Sequence, residues 1–248
     1  MKTFDFYEFA ALLTPGAVLL IGLTLLLPGL APSVNAKDPT FGDLGIFVVL
    51  SYAIGHVTQA LGAILEPRVW ALTGGGARPT DWVRTGRGRL LAPSQHETLK
   101  EHIQPKLGLA QAVDIDKIDK RAWDDVVRQI YAAVEASGHT TRIDIFNGTY
   151  GLCRGIATSV FVLLLAFIAS GVRVALKGHG VAATLPQDVA LGLGLVIVEG
   201  LLLHRMQRFG RYYARELFVQ FLQLPLPDAT GQTNDKATGM QKPKGHVP

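Results

Sequence analysis

The stretch "LPQDVALGLGLVIVEGLLLHR" (185–205) is an apolar run whose inner part, 189–203, holds a single charged residue, Glu199. The run is close to the roughly 20 residues that cross a bilayer as a helix, and it ends with His204 and Arg205. An ionised carboxylate in hydrocarbon is costly unless another group neutralises it. The stretch therefore predicts both a membrane span and a polar partner for Glu199.

Three more runs of similar length and hydrophobicity occur at 9–31, 44–66 and 152–173. A chain of 248 residues with 48% hydrophobic residues is too apolar for an ordinary soluble domain. The first run is longer than the apolar part of a secretory signal, about 7–15 residues, so we expect it to be retained. The sequence predicts an all-α integral membrane protein with four transmembrane helices.

Lysine and arginine accumulate in loops on the cytoplasmic side of a membrane. Twelve of them lie in 66–149 and seven follow Leu203, whereas loop 32–43 has only Lys37. We therefore expect both termini and the large loop in the cytoplasm, with the lipid bilayer as the first partner. The net charge of +4 reflects this bias, so no nucleic acid is expected as a partner.

Four regions follow from this pattern. Residues 1–66 hold transmembrane helices 1 and 2, and 67–149 form a small cytoplasmic helical subdomain with a basic loop. Residues 150–224 hold transmembrane helices 3 and 4 with a cytoplasmic helical extension, the stalk (206–224). The tail, 225–248, has almost no large apolar residues and is expected to be disordered.

Two helices are predicted inside the subdomain. One begins at "PSQHETLKEHIQ" (93–104), where Ser94 and Glu97 have capping-box spacing. The other has Gly138 as its C-cap and is amphipathic, with an apolar face made of Trp123, Val126, Val127, Ile130, Tyr131 and Val134.

The basic loop carries Arg78, Arg84, Arg87 and Arg89 in a stretch without periodicity. It could hold a phosphate or a nucleotide, but it matches neither a Walker A motif nor a dinucleotide fingerprint. A flexible basic segment beside the membrane is the favoured interpretation.

The second apolar run has two stripes at helical spacing. The polar stripe is Tyr52, His56, Gln59, Ala63 and Glu66, and the small-residue stripe is Ser51, Gly55, Thr58 and Gly62. The third run opens with a similar small-residue pattern at 151, 155 and 159. Small residues at this spacing let membrane helices approach closely, so packing is favoured over a ligand-binding role.

Depth along the helices suggests a partner for Glu199. At about 1.5 Å per residue, Glu199 lies about 9 Å inside Arg205, and Gln59 lies about 10 Å inside Glu66. His56 is one turn deeper, and Arg154 can reach inward along its stem. These positions predict an intramembrane polar cluster of His56, Gln59, Arg154 and Glu199. The cluster could fix helix register, which is favoured, or act as a protonation switch or ion path; Glu199 could instead face lipid near the interface.

The stalk interleaves aromatic and arginine residues and has no proline before Pro225, which predicts one helix from 186 to 224. Steps of four from Arg142 to Arg154 predict that a second helix leads into the third span. The stalks could pack on each other, which is favoured, or lie along anionic headgroups. The candidate stalk residues are Arg208, Arg211, Tyr212, Arg215 and Phe218.

No catalytic constellation is found. The sequence has no G-x-S-x-G elbow and no H-E-x-x-H motif, and its single cysteine, Cys153, excludes an intramolecular disulfide and a cysteine-rich metal site. We expect no enzyme activity, no metal and no cofactor.

Four stretches, "FDFYEFAALLTPG" (4–16), "YAIGHVTQALG" (52–62), "FNGTYGLCRG" (146–155) and "GRYYAREL" (210–217), resemble a group of uncharacterised bacterial multi-spanning membrane proteins. The resemblance does not cover the central loop. It implies a bacterial origin and this topology, and it implies no activity.

Three hypotheses of function remain. The first is a non-enzymatic membrane module that self-associates, receives a partner or signal through its cytoplasmic helices and alters membrane permeability. The second is a static scaffold or accessory subunit. The third is an ion-coupled carrier or membrane enzyme that uses Glu199 and His56.

Overall fold

A computed structural model describes residues 6–27, 41–73, 76–86, 89–176 and 185–226. The predicted disordered tail, apart from its first two residues, and Arg87 lie outside these ranges. Within them the chain is helical and has no strand. The helices are α1 (Phe6–Leu26), α2 (Phe41–Thr73), α3 (Pro79–Thr85), α4 (Pro93–Leu107), α5 (Lys120–Ala136), α6 (Thr141–Leu176) and α7 (Leu185–Gln223).

Helices α1, α2, α6 and α7 are long and apolar enough to cross a membrane. They contain the four apolar runs, so the prediction of an all-α chain with four such helices is confirmed. α7 continues without a break to Gln223, as the absence of proline predicted. α6 begins at Thr141, upstream of the apolar run, as the spacing of arginine and aromatic residues predicted.

The chain divides into two compact units. Unit 1 comprises residues 1–90 and 140–216, and unit 2 comprises 91–139 and 217–248. The expected regional boundaries at 66 and 149 fall inside α2 and α6.

Close backbone approach joins the helices of unit 1, where α1, α2 and α6 all pack on one another. A Cβ atom added to Gly55 of α2 would lie 2.0 Å from the carbonyl oxygen of Leu12. One added to Gly16 of α1 would lie 1.7 Å from the carbonyl oxygen of Ser51. Only glycine fits at either position, so the small-residue stripe of α2 is a helix-packing surface.

Unit 2 has its own apolar core. Trp123, Val126, Ile130 and Val134 of α5 are buried, four of the six residues predicted on its apolar face. The side chain of Asp119 caps α5 by accepting the backbone N–H groups of Arg121 and Ala122. The core is completed by Leu99, Ile103, Ile115, Leu217, Phe218 and Phe221.

The capping box predicted for α4 is wrong. The helix begins at Pro93, and its N-cap is Ala92, two residues before Ser94. Proline is common at the first helical position, because an N–H group there would have no acceptor within the helix. The side-chain oxygen of Gln95 accepts the backbone N–H of Ala92 at 3.0 Å, so Gln95 performs the role expected of Glu97.

Candidate functional site

Glu66 of α2 is the centre of a buried ion network. Its side chain is only 4% exposed, and its two oxygens contact two arginines. Arg154 of α6 donates to Oε2 at 2.6 Å, and Arg78 lies 2.8 Å from Oε1. A buried carboxylate is tolerated when cations and hydrogen bonds replace its water, and both guanidinium groups do so here.

Arg78 reaches Glu66 because the segment after α2 is structured, in contrast to the flexible loop that the sequence indicated. Arg78 is the N-cap residue of α3, and Pro79 takes the first helical position. Trp82 of α3 is buried and donates its ring N–H to the carbonyl of Ala77 at 2.9 Å. Seven residues are too few to show a helical period in sequence. Of the other predicted loop arginines, Arg84 lies inside α3 and Arg89 is exposed.

Gln59 connects the ion network to α1. Its side-chain oxygen accepts from Arg154 at 3.1 Å, and its amide nitrogen donates to the carbonyls of Ala11 and Gly151 at 3.1 and 3.0 Å. Pro15 lies in α1, where the residue at position 15 would normally donate its N–H to Ala11. Gln59 supplies the donor that Pro15 lacks, so α1, α2 and α6 are joined through one amide.

Aromatic side chains cover the network. The ring N–H of Trp70 donates to the hydroxyl of Tyr150 at 3.0 Å, and the guanidinium of Arg154 lies 5.8 Å from the centre of the Tyr150 ring. Trp70 is buried in a cluster with Trp82, Cys153 and Met206. This cover limits the access of water to Glu66 and strengthens the electrostatic interactions beneath it.

Glu199 is not part of this network. Within the described ranges it has no hydrogen bond or ion pair, and its Oε2 atom is buried without a donor. Both terminal nitrogens of Arg154 are used by Glu66 and Gln59. His56 is exposed, and the centre of its ring lies 4.8 Å from that of Tyr52. The prediction that Arg154, His56 or Gln59 neutralises Glu199 is therefore wrong.

The predicted cluster is thus half assembled. Gln59 and Arg154 contact each other, and the acid that pairs with Arg154 is Glu66 instead of Glu199. Glu66 is the last residue of the polar stripe of α2, although the predicted cluster did not include it. Its membership of the same helical face as Gln59 was the signal that could have identified it.

A cavity of about 340 Å³ lies beside the network, bounded by α2, α6 and α7. Glu66 and Arg154 form part of its wall, and Glu199 forms another part. The remaining lining is mainly apolar and includes Leu65, Val69, Ala157, Phe161, Leu203 and Met206.

The first half of the stalk packs on α6 within unit 1. The ring of Phe146 lies 5.6 Å from that of Tyr212, and Arg208 donates to the Tyr212 hydroxyl at 2.7 Å. Arg142 lies 3.6 Å from Glu216. These contacts match the packing alternative. Arg211 and Arg215 are exposed and have no hydrogen bond or ion pair to any described residue.

The second half of the stalk belongs to unit 2. Phe218 is fully buried and stacks on Trp123 with ring centres 5.9 Å apart. The Lys106 ammonium donates to the carbonyls of Phe221 and Leu222 at 3.0 and 2.7 Å, at the end of α7 where such carbonyls lack helical partners. Burial lowers the pKa of Lys106 below its usual range.

No group of three or more histidine, cysteine, aspartate or glutamate residues suited to a metal ion is present in the part of the chain that the structure describes. Comparison of this chain with protein families, with curated proteins and with solved structures gave no match.

Proposed function

We propose that the protein is a non-enzymatic integral membrane module of a bacterial inner membrane. In this proposal unit 2 lies in the cytoplasm and binds a protein partner or a second copy of the chain. The helices of unit 1 respond to that binding and change the permeability of the membrane.

The observation that carries the proposal is the continuity of α7. One helix supplies both the Glu199 wall of the cavity in unit 1 and the buried residues Leu217, Phe218 and Phe221 in unit 2. Energetic coupling between distant sites can be carried by rigid secondary elements with two arrangements. A change in the core of unit 2 would then be transmitted to unit 1 along α7.

Orientation is tested by labelling engineered cysteines with a membrane-impermeant maleimide in intact cells. Asp38→Cys should react, whereas Leu90→Cys and Asp235→Cys should react only after lysis. The native Cys153 is buried, so the unsubstituted chain serves as the blank. Labelling of position 90 from outside would contradict the cytoplasmic location.

Permeability is tested by expressing the chain and measuring uptake of a membrane-impermeant dye. We expect uptake with the native chain and none with Phe218→Asp, because a buried charge without a partner disrupts the core of unit 2. Gln223→Asp is the matched control, since it adds the same charge at an exposed position of the same helix. No uptake by the native chain would favour the static scaffold.

Continuity of α7 is tested by an insertion after Glu216. A four-residue glycine-serine segment should abolish dye uptake, whereas four alanines, which extend the helix, should preserve more of it. Oligomer size of both variants in detergent shows whether unit 2 still associates. Equal uptake by both insertions would contradict transmission along the helix.

The unpaired carboxylate of Glu199 favours a second candidate, an ion-coupled carrier or membrane enzyme that uses Glu199 and His56. Glu199→Gln keeps the shape and removes the charge, so it should abolish an ion-coupled activity. The permeability module should tolerate the change.

A further inference from the structure

We propose that the cavity bounded by α2, α6 and α7 is a binding site for a small organic cation, an ammonium group carried on an apolar body, with Glu199 as its counter-ion. This site would exist whether or not the protein changes membrane permeability.

One of the two acids that line the cavity has no cationic partner. Glu66 is paired with Arg78 and Arg154, and the terminal nitrogens of Arg154 are occupied. Arg68 is exposed, and it donates to the carbonyl of Ile64 at 3.4 Å. Arg68 has no ion pair in the described ranges, but its guanidinium is hydrogen-bonded to that carbonyl. Of the two acids lining the cavity, Glu199 is the one that has no partner there. A cationic ligand would supply the missing charge.

The lining selects an organic cation over a metal ion. Calcium and magnesium require several oxygen ligands. Besides Glu199, the cavity offers Glu66, which is already paired, and Thr158, whose hydroxyl donates to the carbonyl of Arg154 at 2.9 Å. The rest of the wall is almost entirely carbon, suited to a ring or a short alkyl chain.

The size of the cavity agrees with this class of ligand. Its volume of about 340 Å³ lies at the lower end of the range of about 300–1,000 Å³ typical of small-molecule sites. A benzene ring with a trimethylammonium group has the required charge and fits a site of this size.

The test uses the full chain in lipid nanodiscs and dicyclohexylcarbodiimide, an apolar reagent that adds to carboxylic acids in apolar surroundings. The carboxyl proton moves to one nitrogen of the reagent, and the carboxylate oxygen bonds to its central carbon. Transfer of the acyl group to nitrogen then gives a stable N-acylurea. Nothing leaves, so the labelled peptide gains the mass of the whole reagent.

We expect labelling at Glu199 and none at Glu66, whose two oxygens are already engaged by Arg154 and Arg78. Benzyltrimethylammonium should slow labelling of Glu199 by tenfold or more, because the cation stabilises the unreactive carboxylate. Neopentylbenzene has the same shape without the charge and should slow it less than twofold. Equal protection by both compounds, no protection by the cation, or no label at Glu199 would overturn the proposal.

Two substitutions on α7 test the cavity itself while leaving Glu199 in place. Leu203→Trp fills part of the cavity, and we expect it to remove protection by the cation. Leu193→Trp is the matched control on an exposed position outside the lining, and it should keep the native protection. Protection that survives Leu203→Trp unchanged would place the cation elsewhere and contradict the proposal. A failure of dye uptake in cells would leave these outcomes unaffected.

Discussion

Two acids line the same cavity and have opposite surroundings. Glu66 of α2 is paired with two arginines in a region where α1, α2 and α6 approach closely enough to require glycine. Glu199 of α7 has a buried oxygen without a donor, on a helix whose preceding residues Val196, Ile197 and Val198 are exposed. The paired acid holds helices together, whereas the unpaired acid is available to a proton or a ligand.

The largest difference is expected when each acid is removed. Glu66→Ala leaves the guanidinium of Arg154 buried without its counter-ion, and breaking a buried pair costs about 3–5 kcal/mol. Arg78 is 49% exposed and can be hydrated, so we expect a loss of about 3 kcal/mol. Glu199→Ala removes an unpaired carboxylate and should change the free energy of unfolding by less than about 1 kcal/mol. Denaturant unfolding in detergent measures both, and equal losses would contradict the contrast.

Double-mutant cycles show which acid is coupled to Arg154. The Glu66→Ala and Arg154→Ala cycle should give a coupling energy of about 2 kcal/mol, within the range for residues in one network. The Glu199→Ala and Arg154→Ala cycle should be additive within about 0.5 kcal/mol, because no hydrogen bond or ion pair joins these two residues. A larger coupling to Glu199 would mean that Arg154 changes partner.

Glycine substitutions compare the packing of the two regions. Gly55→Ala places a Cβ atom 2.0 Å from a backbone oxygen of α1, so the helices must separate, at a cost of about 1–3 kcal/mol. Gly200→Ala on α7 meets no atom within 4 Å and should stabilise the helix by up to about 1 kcal/mol. Thermal unfolding of the two variants in the same detergent should therefore shift in opposite directions.

The amide of Gln59 gives a smaller effect that depends on Pro15. Gln59→Leu leaves the carbonyl of Ala11 without a donor, which costs about 1–3 kcal/mol for a buried group. In a Pro15→Ala background residue 15 regains its N–H and can donate to Ala11 itself. The loss caused by Gln59→Leu should then be smaller, by about 1 kcal/mol. An unchanged loss would show that Gln59 acts only through Arg154 and Gly151.

The contrast also explains what the sequence could predict. Hydrophobic runs identified the four long helices because length and apolar content are properties of a segment alone. Helical spacing placed Gln59 and Glu66 on one face of α2, because this spacing is also a property of a single segment. The rise per residue places Glu199 at the same depth in the membrane as Gln59, but depth does not specify how α7 is rotated about its axis. That rotation depends on packing, and packing paired Arg154 with Glu66.

The role of Arg78 could not be predicted for a different reason. Its contact with Glu66 depends on α3, a helix of seven residues in which Trp82 and Val83 are buried. Such a segment is too short for a hydrophobic period, so the sequence indicated a flexible loop.

The smallest effect is expected for a paired acid on the surface, which sets the lower limit for the comparison. Asp116 lies 2.7 Å from the ammonium of Lys100 in unit 2, and its side chain is 56% exposed. Asp116→Asn should lower the Tm only slightly, since exposed pairs contribute little. At about 1 M salt the Debye length is about 3 Å, and the difference in Tm should vanish.

Hydrogen bonding to Asp116 raises the pKa of Lys100 above its usual value of 10.5. A raised pKa means that the folded chain binds the proton more tightly, so the contribution is complete below pH 10.5 and is lost as the pH rises through the folded pKa. The Tm difference between the native chain and Asp116→Asn should therefore shrink at alkaline pH, whereas a difference that persists there would point to packing and not to charge.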